Sequence, residues 1–435
     1  MVQMQARPAF LEVDLTSAQG AALLSSVSEK YGPKIVEAAS LAARMFLLRS
    51  PWAPGLRFTG AETKRAFGGE WSTEVSFSLS GSGETLEDAF VSCIGEGIDR
   101  LAQIECPGDI AAFGRLAEIA DRALPTAIVA LGQDMTQQAL PVTTPLAWVS
   151  GKLFDTNFNA DRGGGRDVLL PADWCLRRAP GQQRLRPRTA LSVGVAAGPT
   201  FDWAASRALL ELIERDAASL WWIGGRRGRD VPLDHPATTE IRQLIGTLRQ
   251  DSRDRTSWVL DLTTDIGIPV IAALSCDADG KLLAYGLAAR LSLEDAARAA
   301  ILELCQTELA ILLAQIRQAE NGEDNLPPED RAHLERGAAI KADQCTLLHA
   351  LGCHLTPPAD VVGPALPAIA SAMARCGIEA ALIDMTRPQF GIPVVRAVAP
   401  ALQLMPSNTV TDRMRHAFED WGGGSRYTGG TPLIS

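Results

Sequence analysis

Histidine and tyrosine are scarce in this chain of 435 residues, which has five histidines and three tyrosines. No Ser-His-Asp or Cys-His arrangement stands out among so few histidines, which argues against covalent hydrolase chemistry. An excess of basic residues is also missing, because the formal net charge is −10. A protein that binds duplex nucleic acid needs a basic face to displace counterions. We therefore expect no nucleic-acid partner.

The sequence also lacks long apolar runs and a secretory signal. No uncharged apolar stretch reaches about 18 residues, the length that crosses a bilayer. The opening residues, MVQMQARPAFLEVDL, show neither the basic-then-apolar pattern nor the cleavage site of a signal peptide. The eight cysteines are scattered and form no CxxC pair. These features predict a cytoplasmic protein without a membrane partner.

A single pattern occurs three times along the sequence. The copies are TLEDAFVSCIGEGIDR, which starts at Thr85, TFDWAASRALLELIER, which starts at Thr200, and SLEDAARAAILELCQT, which starts at Ser292. Each begins with Ser or Thr, residue types that are preferred at a helix N-cap, and each has an Ala four residues later. Each copy therefore predicts a capped helix with the same arrangement of faces.

Each predicted helix carries two polar residues one turn apart, which lie on one face. A Glu stands eleven residues after the cap and an Asp, Glu or Gln three residues further on: Glu96 and Asp99, Glu211 and Glu214, Glu303 and Gln306. Five carboxylates repel one another if they are buried together without cations. Magnesium bound to a nucleoside triphosphate relieves that repulsion, because the metal binds carboxylates on one side and phosphates on the other. Three ordinary amphipathic helices with solvated carboxylates are the alternative.

Arginines accompany two of these carboxylate pairs. Arg100 and Arg215 each directly follow an acidic residue, where a planar guanidinium is placed to contact phosphates. Gln306 is a candidate to contact a ribose, a base or a metal-bound water. The sequence contains no GxxxxGK[ST] loop and no kinase HRD or DFG signature, so we expect a nucleotide site of another kind.

Local patterns predict further elements. Helices are predicted over residues 35–48, 110–124 and 366–376, strands over residues 74–79, 146–153, 257–262 and 394–399, and a turn over residues 80–83. A helix is also predicted over residues 332–357, where Cys345, His349 and Cys353 share one face with the residue types of a zinc site. The leucines between them favour an ordinary core helix instead. The Gly-rich residues 422–435 are expected to be flexible unless they dock.

The three motifs, read as SCIGEGIDR, SVGVAAG followed by ALLELIERDA, and AILELCQ, resemble the ATP-binding signatures of the YcaO family. The segments DLTTDIGIPVIAA and DMTRPQFGIPVVRAVAPAL resemble its flanking strands, and the similarity extends from about residue 55 to about residue 410. The resemblance implies an α/β fold in which three motif helices converge on a nucleotide and magnesium cleft. It divides the chain into an N-terminal segment (1–54), a catalytic domain (55–410) and a C-terminal helix and tail (411–435).

The resemblance also implies a function. Members of the family use ATP to activate a peptide backbone amide, and in azoline-forming members a Cys, Ser or Thr side chain attacks the preceding carbonyl. Residues that match the family's motifs would bind magnesium at Glu96, Asp99, Glu211, Glu214 and Glu303. Others would bind the nucleotide at Ser92, Arg100, Arg215 and Gln306. No catalytic residue is assigned.

The implied partners are a precursor peptide and an E1-like protein that binds its leader. A flavin-dependent azoline dehydrogenase and a second copy of the chain, in a homodimer, are further candidates. Several positions depart from the family: Ser82 stands where Lys is frequent, and Pro199 and Trp203 replace an Asn and an acidic residue. The ending GTPLIS lacks the PxPxP sequence of azoline-forming members. A thioamide-forming enzyme that uses sulfide, or a weakly catalytic scaffold subunit, therefore stays open as an alternative.

Overall fold

The computed structural model describes residues 9–63, 78–159, 164–179, 181–233, 238–250, 252–352 and 363–434. The strands are β1 (Ala9–Val13), β2 (Ala42–Arg49), β3 (Arg57–Thr63), β4 (Ser78–Gly83), β5 (Ile110–Gly114), β6 (Leu146–Phe154), β7 (Asp167–Pro171), β8 (Val195–Ala197), β9 (Arg229–Asp230), β10 (Thr256–Asp261), β11 (Val270–Cys276), β12 (Ala284–Ala289), β13 (Ala380–Asp384) and β14 (Val394–Val398). The α-helices are α1 (Ala18–Tyr31), α2 (Pro33–Ala38), α3 (Leu86–Ala102), α4 (Leu116–Ile119), α5 (Pro125–Gln137), α6 (Ala172–Cys175), α7 (Phe201–Trp222), α8 (Thr239–Arg249), α9 (Leu293–Asn321), α10 (Pro328–Ala339), α11 (Ala365–Arg375), α12 (Asp412–Trp421) and α13 (Ser425–Thr428).

These strands form three antiparallel sheets. The first has the order β1-β2-β3-β4, the second β12-β11-β10-β9, and the third β5-β6-β13-β14-β8 with β7 added beside β6. Each sheet supports one motif helix: α3 packs on β3 and β4, α9 on β11 and β12, and α7 on β8 and β14. Helix α7 also contacts β12, so it lies between the second and third sheets. The fold thereby brings the three repeated sequences to one region.

Glycines allow two of the motif helices to approach their strands closely. A Cβ atom at Gly81 of β4 would lie 2.2 Å from the Ala89 carbonyl oxygen of α3. A Cβ atom at Gly286 of β12 would lie 2.0 Å from the Ala300 carbonyl oxygen of α9. Neither position therefore accepts a side chain without moving helix or strand. The close approach sets the distance between each helix face and its strand.

Helix α9 is further fixed by a buried ion cluster around Glu308. Arg249 donates two hydrogen bonds to this carboxylate, of 2.6 and 2.7 Å, and Arg255 donates a third of 3.0 Å. The Ser275 hydroxyl adds a fourth, of 2.5 Å. Glu308 is fully buried, so these charge-assisted bonds replace the water it loses. They hold α9 against β11 and α8.

Three predicted elements are wrong. The helix predicted over residues 35–48 ends at Ala38 in α2, and β2 follows. The helix predicted over residues 110–124 begins instead as β5, and the turn predicted over residues 80–83 is the end of β4. In each case hydrogen bonding to a distant strand outweighs local propensity, because β2 pairs with β1 and β3, β5 with β6, and β4 with β3. Residues 74–77 lie outside the described residues.

The predicted helix over residues 332–357 is only partly present. Helix α10 ends at Ala339, and Cys345 precedes a short 3₁₀ turn, Thr346–Leu348. Cys345 is buried at 3% exposure, while Cys353 lies outside the described residues. Within the described residues, no three His, Cys, Asp or Glu side chains form a group that could hold a metal ion by themselves. The helical face on which the zinc hypothesis depended is therefore absent at Cys345 and His349.

Two segments bear on the membrane and tail predictions. By length and composition α9 is apolar enough to cross a membrane, but half of its most apolar window is buried inside the protein, as in the core helix of a soluble domain. The C-terminal tail docks: Leu433 is fully buried, and the Trp222 indole donates a 2.8 Å hydrogen bond to the Thr431 carbonyl. Residues Thr431 and Leu433 of the tail thus pack against the folded domain.

Candidate functional site

The three motif helices begin alike. The predicted N-cap side chains each accept a hydrogen bond from the backbone N–H three residues later, at Thr85 (from Asp88, 3.2 Å), Thr200 (from Trp203, 3.2 Å) and Ser292 (from Asp295, 3.1 Å). The predicted caps are therefore confirmed. Because the caps fix where each helix starts, residues at the same offset from them occupy equivalent places.

The first Glu of each motif turns back to the strand that precedes its helix. One carboxylate oxygen accepts a backbone N–H of that segment in every copy: Glu96 from Ser80 (2.8 Å), Glu211 from Gly194 (3.0 Å) and Glu303 from Leu287 (3.1 Å). This hydrogen bond fixes one oxygen of each Glu. The other oxygen of Glu96 accepts from Arg100, and the other oxygen of Glu211 accepts from Arg215. The repeat in sequence is thus a repeat in structure.

Carboxylates of different helices repel one another across the space between the helices. The pKa of Glu214 is raised to about 8, chiefly by burial and also by Glu303 and Glu211, against the opposing effect of Arg215. Burial also raises the pKa of Glu303, and it raises the pKa of Asp99 well above its ordinary value together with Glu211. The site therefore gathers more negative charge than it can hold ionised without cations.

The two predicted arginines lie beside these carboxylates. Arg100 contacts Glu96 at 2.5 Å, and Arg215 lies 3.4 Å from Glu211 and 3.7 Å from Glu214. Burial lowers the pKa of Arg215, but its acidic neighbours outweigh that effect, so the pKa is raised overall. Each guanidinium group thus lies beside at least one proposed metal ligand.

The remaining predicted residues occupy the same helices. Ser92 is exposed on α3, and Gln306 is half-buried on α9. Among the described residues, no hydrogen bond joins Ser92 or Gln306 to the carboxylate group. The structure thus brings together Asp99, Glu211, Glu214, Glu303 and Arg215 most closely, with Glu96 and Arg100 beside them.

Two further arginines were missed by the sequence analysis. Arg207 precedes Glu211 by one turn of α7, and its electrostatic neighbours are Glu214, Glu211, Glu303 and Asp99. Arg290 stands two residues before the Ser292 cap and faces Glu214 and Glu303. The i, i+4 spacing of Arg207 and Glu211 is the signal that could have revealed the first. No equivalent spacing signal marks Arg290.

The residues fit a bound metal–nucleotide better than a metal ion alone. One carboxylate oxygen of Asp99 is buried and has no hydrogen-bond partner among the described residues. The same is true of the Nε atom of Arg215. Orphaned buried acceptors and donors at one place suit a ligand that carries both a cation and oxygen anions. Mg²⁺ bound to nucleotides takes one or two carboxylates and completes its octahedron with phosphates and water. That requirement agrees with the absence of a three-ligand group among the described residues.

Several solved structures have a similar fold. A heterocyclase in complex with substrate and cofactor is 21% identical, with 88% of this chain and 52% of that chain covered and a TM-score of 0.65. YcaO from Methanopyrus kandleri bound with AMPPCP and Mg²⁺ is 18% identical, with 87% and 91% covered and a TM-score of 0.59. A chain of the E. coli microcin synthetase McbBCD complex is 16% identical, with 83% and 88% covered and a TM-score of 0.60. This likeness confirms the predicted α/β, YcaO-like fold, and the chain spans about half the length of the heterocyclase.

The comparison with curated protein sequences gives no match. A family model does match, over residues 80–403, and it describes a YcaO cyclodehydratase that binds ATP and Mg²⁺. The matched span contains α3, α7 and α9 and most of the chain. The chain therefore belongs to the YcaO cyclodehydratase family, whose cofactors are ATP and Mg²⁺.

Proposed function

We propose that the chain is an ATP-dependent cyclodehydratase subunit that converts Cys, Ser or Thr residues of a ribosomally made precursor peptide into azolines. The observation that carries this proposal is the threefold Glu-to-strand hydrogen bond, which presents carboxylates from three helices to one charged space. A protein of purely structural role would gain nothing from burying these carboxylates together, because their repulsion costs stability.

In this proposal the carboxylates hold magnesium and their polar neighbours hold the nucleotide. The proposed metal ligands are Glu96, Asp99, Glu211, Glu214 and Glu303, and the proposed nucleotide contacts are Ser92, Arg100, Arg215 and Gln306. Since the pKa of Glu214 is about 8 without a cation, this group loses its proton when magnesium binds. Metal affinity should therefore rise with pH around neutrality. The same Glu cannot serve both as a metal ligand and as a proton donor.

A bound nucleotide would supply the phosphoryl group that activates the amide oxygen of the peptide. The attacking side chain would lose its proton and bond to the amide carbon, the phosphorylated oxygen would leave as phosphate, and the amide nitrogen would lose its proton as the C=N bond forms. The peptide would thus lose two hydrogens and one oxygen, the equivalent of one water, for each ring. The chain's own contribution is to orient the phosphates with arginines and to keep the charged space closed to bulk water, where electrostatic stabilisation is strongest.

We propose that a separate E1-like protein binds the leader of the precursor peptide. The microcin synthetase of similar fold is a complex, and a structure of it with pro-MccB17 bound also matches, which supports a partner protein and a peptide substrate. A flavin-dependent azoline dehydrogenase would act after this chain, because azolines are its substrates. Homodimer formation and a cytoplasmic location also stay proposals.

The test is reconstitution with the precursor peptide, the leader-binding partner, ATP and Mg²⁺, followed by mass spectrometry. Loss of one water per modified residue, dependent on ATP, supports the proposal. Exchange of an amide oxygen for sulfur when sulfide is supplied would favour the thioamide alternative. ATP binding without any change in the peptide would favour the scaffold alternative.

A further inference from the structure

A small cavity lies beside the proposed metal site, between α7, β14 and the loop that carries Arg188. Its lining includes Leu212 of α7, Arg396 of β14, Trp174 of α6 and Arg188. None of the proposed metal ligands and nucleotide contacts, all of which the structure describes, belongs to this lining. The cavity has a volume of about 40 Å³. Since one water needs roughly 10–15 Å³ of such space, the cavity has room for about three waters or one small anion.

Arg396 is a buried cation without a carboxylate partner. It is 2% exposed, and it donates hydrogen bonds to the backbone carbonyls of Val193 (3.3 Å) and Leu191. Among the described residues it has no ion pair within 4 Å, and its Nε–H is buried without an acceptor. Burial lowers the pKa of Arg396 to about 10, so the group is still charged at neutral pH. A buried charge of this kind is costly unless an anion lies beside it.

Arg188 brings a second positive charge to the same cavity. Its Nη2 donates a 3.2 Å hydrogen bond to the Thr409 hydroxyl, and its guanidinium carbon lies 5.5 Å from the centre of the Trp174 ring. Its Nη1 lies 3.7 Å from Oδ1 of Asp134, too far for a hydrogen bond, and is buried without a hydrogen-bond partner in the described part of the chain. The cavity is therefore lined by two guanidinium groups, each with one unpartnered donor.

The charges around the cavity leave one positive charge unbalanced. Arg188 and Arg396 contribute two positive charges, and Asp134 contributes one negative charge beside Arg188. Glu211 attracts Arg396 from more than 4 Å away, but this carboxylate already pairs with Arg215. One monovalent anion would balance the remaining charge, whereas water would not.

We propose that this cavity binds one small monovalent anion, either chloride or a carboxylate of the size of formate, between Nε of Arg396 and Nη1 of Arg188. Each guanidinium has one donor left, which suits an anion with one or two acceptor atoms. The inference does not depend on the proposed function. It bears on the metal site all the same, because Arg396 binds the carbonyl of Val193, and the next residue, Gly194, donates its N–H to Glu211.

The test in solution measures thermal unfolding at pH 8 while chloride, or formate in a second series, replaces gluconate at constant ionic strength. An anion that binds only the folded protein raises the melting temperature as its concentration rises. We expect this rise in wild type, and an apparent affinity at least about tenfold weaker in Arg188→Met, which loses one charged donor. Arg186→Met, exposed on the same loop, is the matched control and should respond like wild type. The anion with the larger effect at equal concentration is the one that the cavity prefers.

Asp134→Asn tests the charge balance. At pH 8 the Asp134 carboxyl group, whose pKa is about 6, is ionised and repels an anion beside Arg188. Its replacement by Asn should tighten the apparent affinity for chloride by at least about threefold. Unchanged or weaker binding would contradict the inference.

Crystals of wild type soaked in sodium bromide locate the anion. The anomalous signal should show bromide within hydrogen-bond distance of Arg396 and Arg188, away from the motif carboxylates. A cavity that holds only water overturns the inference, and so does a bromide peak without any chloride response in solution, which is binding at crystal concentration only. Equal chloride responses of wild type and Arg188→Met also overturn it and leave the proposed function untouched. Should Arg188→Met not fold, Asp134→Asn and the bromide peak decide.

Discussion

Arg413 Nη2 lies 2.7 Å from Oδ2 of Asp216, the residue that directly follows Arg215 on α7. Asp216 is fully buried and also accepts a 2.9 Å hydrogen bond from the Gln403 backbone N–H. The second edge of Arg413 pairs with Asp265 at 2.7 Å. The ion pair between Arg413 and Asp216 therefore joins α12 to the motif helix α7, next to the proposed nucleotide contact Arg215.

Replacing Arg413 by Ala should lower the free energy of unfolding by about 3–5 kcal/mol, because it leaves the Asp216 carboxylate buried without its cation. Denaturant unfolding measures the loss. Arg415→Ala, on the same helix but half exposed and paired with Asp412, should cost less than about 1 kcal/mol. Adding Asp216→Asn to Arg413→Ala should recover part of the loss. Equal effects of the two arginine variants would contradict this account.

A second buried carboxylate gives a pH-dependent prediction. Burial raises the pKa of Asp134 from 3.8 to about 6, with Arg188 opposing the shift from 3.7 Å. Between these two pH values the folded protein binds more protons than the unfolded one, so the free energy of unfolding falls as pH rises through the window and this contribution is constant above it. Asp134→Asn should remove that contribution. Its stability relative to wild type should rise by about 3 kcal/mol between pH 4 and pH 7.

Chemical denaturation of both proteins at several pH values tests this expectation. Asp121→Asn, at an exposed position just before α5, is the matched control and should keep the pH dependence of wild type. A stability difference between Asp134→Asn and wild type that does not change with pH would show that folding does not raise the pKa of this carboxyl group.

Sequence patterns predicted the motif helices well because their signals are local. Thr200 caps α7 as predicted, and the 3.6-residue period places Glu211 and Glu214 on one face. Strand β2 was predicted as helix because its partners are distant in sequence: Leu47 pairs with Leu11 and with Thr59. Pairing of that kind leaves no mark within a short window.

In the site as well, local signals could be predicted from the sequence and long-range contacts could not. Its carboxylates could be predicted because Glu at equal offsets from three caps is a repeated signal. Arg207 and Arg290 could not be distinguished from surface arginines, since only the packing of three helices brings them to Glu214 and Glu303. The assignment of individual metal and nucleotide ligands stays a prediction.

Glu214→Gln tests the proposal that Glu214 binds magnesium, with a side chain of nearly the same size. Because the pKa of Glu214 is about 8 in the absence of cations, Gln resembles the protonated form and should keep or raise stability without magnesium. Magnesium-dependent ATP turnover should fall by at least about a hundredfold, since a metal ligand is lost. Glu320→Gln, exposed near the end of α9, is the control for ATP turnover. Wild-type turnover in Glu214→Gln would rule out this carboxylate as a metal ligand.

The C-terminal tail connects to the site through Arg336. This guanidinium donates a 2.8 Å hydrogen bond to the Leu433 carbonyl and lies 5.0 Å from the centre of the Tyr285 ring. Burial raises the pKa of Tyr285, whose charged neighbours include Glu303 and Arg215 of the site. The tail thus contacts Arg336, which in turn packs on a tyrosine near the site. Its role in stability and its role in chemistry can be separated by two variants.

Deletion of residues 431–435 should lower the free energy of unfolding by at least about 2 kcal/mol, because Leu433 leaves the core and Arg336 loses its acceptor. Leu433→Ala should cost about 2–4 kcal/mol but keeps the carbonyl that binds Arg336. We therefore expect both variants to unfold earlier, and only the deletion to slow ring formation when assays are run well below both melting temperatures. Ring formation at the wild-type rate by the deleted protein would show that the tail serves stability alone.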